Sequence, residues 1–145
     1  MKIKRATHLG MCFGVRDAIA LAQKTARRES VTVLGQLVHN PNVLERLGQA
    51  GVQFADSPAD VRTDTILITA HGASERRLAA AAATGKRILE ATCPLVHHAH
   101  RELRALVAAG FHPVVIGQRG HVEVTGLTED LDACDIVLTE ADVAG

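Results

Sequence analysis

Apolar runs of four or five residues recur along the chain, separated by longer stretches in which apolar positions fall every third or fourth residue. Val31-Thr32-Val33-Leu34-Gly35 reads as a short buried strand, and Thr65-Ile66-Leu67-Ile68-Thr69, Pro113-Val114-Val115-Ile116-Gly117 and Asp135-Ile136-Val137-Leu138-Thr139 read as strands, with further ones at Gly51 to Ala55 and Lys86 to Glu90. Between them, Val15, Ala18, Ile19 and Ala22 share one helical face, and Val43, Leu44 and Leu47 share another after Pro41. Ser74 can cap a helix that begins Glu75-Arg76-Arg77 and stops at Gly85. Pro94 suits the first turn of a further helix, whose stripe of Leu95, Ala99, Leu103, Leu106 and Val107 runs up to Gly110. Strands alternating with helices predict an α/β fold, a parallel sheet with helices on both faces.

Composition narrows the class. With 145 residues the chain is one ordinary domain or two small α/β lobes. Sixteen Lys plus Arg balance sixteen Asp plus Glu, so no overall field draws it to nucleic acid or to an anionic membrane, and any anion site has to be local. With no Trp or Tyr and three Phe, it lacks stacking platforms for single-stranded nucleic acid. The basic start Met1-Lys2-Ile3-Lys4-Arg5 leads into no apolar stretch of signal-peptide length, and no later run approaches a membrane span. Three cysteines without paired spacing suit a reducing, cytoplasmic setting better than a secreted disulfide framework.

The chemistry-bearing residues cluster at strand exits. His39 follows the Val31 to Leu34 run, His71 follows Ile66 to Thr69, Cys93 follows Arg87 to Glu90, and His121 follows Val114 to Gly117. In open α/β sheets ligands bind outside the carboxyl ends of the strands. One such histidine is ordinarily a hydrogen-bonded turn residue; four exits in series that carry His or Cys point to a site. Cys12 and Cys93 each stand at a turn leading into a helix, where partial positive charge and free N–H groups favour the thiolate that ligates metal. Each alone reads equally as a small residue packed at a turn. Together these residues indicate a site for a phosphorylated small molecule beside a thiolate-held iron or zinc centre.

Five segments in this order resemble the 4-hydroxy-3-methylbut-2-enyl diphosphate reductase family. They are Gly10-Met11-Cys12-Phe13-Gly14-Val15-Arg16-Asp17-Ala18-Ile19, Leu37-Val38-His39-Asn40-Pro41, Ala70-His71-Gly72, Ala91-Thr92-Cys93-Pro94-Leu95-Val96 and Ile116-Gly117-Gln118-Arg119-Gly120-His121-Val122-Glu123-Val124-Thr125-Gly126. The resemblance implies reductive removal of a hydroxyl from an allylic diphosphate, giving isopentenyl and dimethylallyl diphosphates in the methylerythritol phosphate route to isoprenoids. It also implies a four-iron four-sulfur cluster, with Cys12 and Cys93 as metal ligands. His39, His71 and His121 would bind the substrate's diphosphate, with Asn40 and Thr92 in supporting substrate-binding positions, and Glu123 would be the catalytic proton carrier. Electrons would come from a ferredoxin or flavodoxin.

The family enzyme has three α/β lobes, each supplying one cysteine, whereas this chain has room for two. The expected division is an N-terminal strand segment over 1–10, a first lobe over 11–92 and an incomplete second lobe over 93–145. The third lobe would be supplied in cis or in trans, and the chain alone is expected to be inactive. Cys134, in Asp132-Ala133-Cys134-Asp135, does not match the third cysteine motif and reads as a small residue at a strand entrance. Two alternatives stay open: a truncated, non-catalytic relative that only binds diphosphate, and a zinc or thiol-redox protein. Against zinc stands the absence of any Cys-x-x-Cys pair.

Overall fold

The computed structural model describes residues 1–7 and 10–143. The first four apolar runs form β1 (Val31–Leu34), β2 (Val52–Ala55), β3 (Thr65–Ile68) and β4 (Arg87–Glu90), in one sheet of order β2-β1-β3-β4 with every neighbouring pair parallel. β1 and β3 occupy the centre and are buried at every position, which is why their sequences show no polar alternation.

Period-two geometry splits their side chains between two cores. Val31, Val33 and Leu67 meet Ala18 and Ala22 of α1 (Phe13–Ala26) and Leu47 of α2 (Pro41–Gln49) on one face. Leu34, Ile66 and Ile68 meet Leu78 and Ala81 of α3 (Glu75–Ala82) on the other. Each fully buried Leu or Ile contributes about 1.5–3 kcal/mol of transfer free energy, so these central strands fix the sheet. The buried hydroxyl of Thr32 is satisfied by Thr63 at 2.8 Å, and Thr63 donates to the Thr65 carbonyl at 2.8 Å.

The chain then continues through α4 (Pro94–Ala108), β5 (Val114–Ile116), α5 (Val122–Thr128) and β6 (Asp135–Val137), with β5 and β6 paired in parallel. α4 keeps the predicted apolar spacing but buries none of its residues, and Leu95, Leu106, Phe111, Val114 and Ile116 are exposed. Among the described residues no helix is long and apolar enough to cross a membrane.

One expectation from the sequence is corrected. Residues 1–7 and 10 form no strand: their side chains are exposed, and Lys2, Lys4 and Arg5 stay solvated instead of packing on a sheet. His8 and Leu9, within that expected strand, and residues 144 and 145, at the end of the expected second lobe, lie outside the described residues. α5 is an element that the residue pattern does not predict. β-Branched Val122, Val124 and Thr125 with Gly126 are poor helix formers, and the cost is offset by burial of Val124 and Gly126 beneath a cap at His121.

Candidate functional site

Parallel strands put all their carboxyl ends at one edge, and the turns leaving that edge carry the candidate residues. Asn40, at the end of the turn after β1, caps α2: its side chain accepts from the Val43 N–H at 3.2 Å, and Pro41 starts the helix where a missing N–H is harmless. This fixes the turn that presents His39.

After β3, Gly72 turns the chain with φ +73°, and a Cβ there would stand 3.1 Å from the Thr92 methyl and 3.2 Å from Val96. Only glycine lets the His71 turn approach the start of α4 so closely. Thr92 thus packs against that turn and lines a second, smaller cavity with Glu90, His97 and His100. After β5, His121 is the N-cap of α5 and Glu123 lies in its first turn.

These turns bring three imidazoles together. Ring centroids are 4.3 Å apart for His39 and His71, 5.2 Å for His39 and His121, and 6.4 Å for His71 and His121. Glu123 Oε1 lies 3.0 Å from His71 Nδ1, and the Glu123 backbone N–H donates to His121 Nδ1 at 3.3 Å. The second contact makes His121 Nδ1 an acceptor, so the ring's proton sits on Nε2.

His71 is 7% exposed, and its Nε2 is buried with no hydrogen-bond partner. A buried polar atom left unpaired costs roughly 1–3 kcal/mol, which makes it the natural meeting point for an incoming group. His39 is held below the ordinary histidine pKa by desolvation in the cluster and by the neighbouring His71 and His121, with Glu123 opposing. Three facing rings backed by one carboxylate form a compact group of N–H donors and acceptors at the strand exits. His39 and His121 also line a cleft of about 560 Å³ between the two sheets, together with Gln36, Thr69, Arg77 and Arg119.

The thiols lie at two helix starts. Cys12 is the N-cap of α1 and is exposed; Cys93 is the N-cap of α4 and half-buried. The Cys93 N–H is held by the Ala70 carbonyl at 3.0 Å, which ties its position to the His71 turn. A Cβ on Gly14 would come within 2.6 Å of Cys93 Sγ, so the first turn of α1 lies directly against that thiol. Gly14 was not a candidate from sequence, because its importance comes only from a contact far along the chain.

Cys134 precedes β6, at the amino end of that strand, and lies away from the edge that carries the other candidates. Burial and the adjacent Asp135 push its thiol pKa up. Among the described residues, no group of three His, Cys, Asp or Glu side chains converges as a ready metal site.

The sequence model of a family described as LytB protein matches residues 3–144. The chain is 40% identical over 128 residues to the 4-hydroxy-3-methylbut-2-enyl diphosphate reductase of Dehalococcoides mccartyi (strain CBDB1), covering 88% of this chain and 45% of that protein. It is 33% identical over 132 residues to the reductase of the same name from Aquifex aeolicus (strain VF5), covering 90% and 46%. Among solved structures, E-1-hydroxy-2-methyl-but-2-enyl-4-diphosphate reductase from Plasmodium falciparum superposes with a TM-score of 0.87 at 29% identity, covering 93% of this chain and 44% of that one. The chain therefore spans about half the length of the curated relatives it matches.

Proposed function

The chain belongs to the LytB protein family, and on that premise we propose that it forms part of a reductase that removes the hydroxyl of 4-hydroxy-3-methylbut-2-enyl diphosphate. The single observation that carries this reading is the buried, unpartnered Nε2 of His71, one of three neighbouring imidazoles contributed by three separate turns. In the proposal the division follows the sheets, with a first lobe over 11–92 and a second from residue 93.

The histidines bind and the glutamate moves a proton. Nε2–H of His121 and a second proton on the His71 ring would donate to the oxygens of a diphosphate, while His71 Nδ1–H is held by Glu123. His39, tilted against both, adds a third donor once the anion's charge reverses its preference for the neutral form. Asn40 and Thr92 support this seat from behind, by capping α2 and by packing on the His71 turn. The side chain of Glu123 is 45% exposed, so it can exchange its proton with solvent and deliver it to a leaving hydroxyl beside the bound diphosphate.

The donor set suits a four-iron four-sulfur cluster at two positions. Cys12 and Cys93 are free thiols at helix N-caps, where unpaired N–H groups favour a bound anion, and Gly14 leaves Cys93 Sγ room against α1. When bound, such a cluster supplies single electrons and one open iron for the substrate oxygen. On the family resemblance the third ligand would come from a further lobe, in cis or in trans, and Cys134, at the amino end of β6, would not supply it. Ferredoxin or flavodoxin would donate the electrons in a cytoplasmic setting.

The test is anaerobic reconstitution with iron and sulfide of the chain alone and of the chain extended by the remaining half of a relative. The extended protein should take up the cluster and consume the allylic diphosphate, and the short chain should retain little cluster and turn over nothing. An extended protein that folds but binds no iron would overturn the reading. Binding of pyrophosphate by such a cluster-free protein would favour the diphosphate-binding alternative.

A further inference from the structure

α5 carries His121 and Glu123 at its front, and what holds its rear is a set of contacts to the other sheet's helix. Ser74, fully buried, is the N-cap of α3: its Oγ accepts the Arg77 N–H at 3.2 Å and donates its only proton to Glu129 Oε2 at 2.6 Å. The next residue, Asp130, accepts from the backbone N–H of Glu75 at 2.6 Å and from that of Arg76 at 3.2 Å. The Arg76 guanidinium returns a bond to the Glu129 carbonyl at 3.1 Å. Two consecutive carboxylates from the segment that ends α5 thus sit at the positive end of α3, Asp130 taking two of its free N–H groups and Glu129 the hydroxyl of its N-cap. Along its flank, α5 offers buried Gly126, where a Cβ would lie 3.9 Å from Ala73 Cα and from the His100 ring.

We propose that Glu129 and Asp130 are positioning residues that clamp α5 onto the N-terminus of α3, so that His121 and Glu123 are seated against His39 and His71. They touch none of the three imidazoles. Their effect passes along a helix of seven residues, anchored at one end by the clamp and delivering its cap and first turn at the other. Because α3 and the His71 turn adjoin in sequence, the clamp also ties α5 to the segment that presents His71. The inference rests on the reading that the imidazoles hold a diphosphate only for its binding readout, and its structural readout is independent of it.

The experiment compares the unaltered chain with Asp130→Ala, Asp130→Asn and Glu129→Ala. It records proton–proton NOEs between the rings of His39 and His121 and affinity for inorganic pyrophosphate, with the amide spectrum of the four-stranded sheet as a fold control. Asp130→Ala should weaken the ring NOEs while the sheet spectrum persists, and should lower pyrophosphate affinity about five- to tenfold. Asp130→Asn keeps an acceptor for the two N–H groups and should restore most of both signals. Should Asp130→Ala lose the fold, Glu129→Ala, which removes the acceptor of the Ser74 hydroxyl, has to weaken the NOEs by itself.

Ring NOEs unchanged in every folded variant would overturn the clamp. Weakened NOEs in a chain that binds no pyrophosphate would leave the clamp standing and remove the diphosphate reading.

Discussion

At the residue scale, the exits of the strands were legible because histidine and cysteine are informative there and the short apolar runs mark the exits by themselves. What was not legible is long-range. Gly14 matters only because Cys93 reaches it, and a methyl placed 2.6 Å from Sγ has to displace either the thiol or α1. Gly14→Ala should therefore cost about 1–3 kcal/mol by urea denaturation and should slow alkylation or metallation at Cys93.

For Glu123 the expectation separates binding from chemistry. In the extended enzyme, Glu123→Gln should keep diphosphate affinity but lower turnover on the order of 10²–10⁴-fold, whereas His71→Ala should weaken binding by about 1–3 kcal/mol. Equal turnover of Glu123→Gln and the parent would take the glutamate out of the mechanism. His39 and His100 are both held below the ordinary histidine value of 6.5, first by desolvation and then by neighbouring positive groups. The unfolded chain then binds more protons than the folded one as pH falls below 6.5, so stability should drop through that window towards the lowered native values. Urea midpoints compared at neutral and mildly acidic pH measure this, and a midpoint that rises on acidification would contradict it.

At the element scale, strands and amphipathic helices followed from period and punctuation. Pro41, Ser74 and Pro94 each mark a helix start that the structure realises. α5 did not follow, because its local propensity is poor and its helix is set by burial of Val124 and Gly126 against neighbours far along the chain. The partner of Ser74 was equally invisible: the cap could be read from sequence, but its second bond to Glu129 could not. Ser74→Ala should cost about 1–2 kcal/mol for the lost cap, with the N-terminus of α3 exchanging its amide protons faster than the central strands. Unchanged exchange at Arg77 would mean that the cap carries no weight.

At the scale of the whole molecule, a central parallel sheet of α/β type was readable from the series of apolar runs, and the second sheet's shortage of cover was not. Spacing shows that α4 has an apolar stripe; only the fold shows that nothing described lies over Leu95 and Leu106. Exposure orders the thiols as well: Cys12 should react with a labelling reagent well ahead of Cys134, whose burial and neighbouring Asp135 hold the thiol protonated.

The central claim is that His39, His71 and His121 form one diphosphate seat, and a titration of the nitrogen-15-labelled chain with inorganic pyrophosphate, followed at the imidazole nitrogens, tests it most directly. The three rings should shift together, with proton uptake at His39, while His97, His98 and His112, engaged with Glu90, Glu102 and Asp135 on the surface, stay in place. Shifts confined to those surface histidines, or none at the cluster, would contradict it.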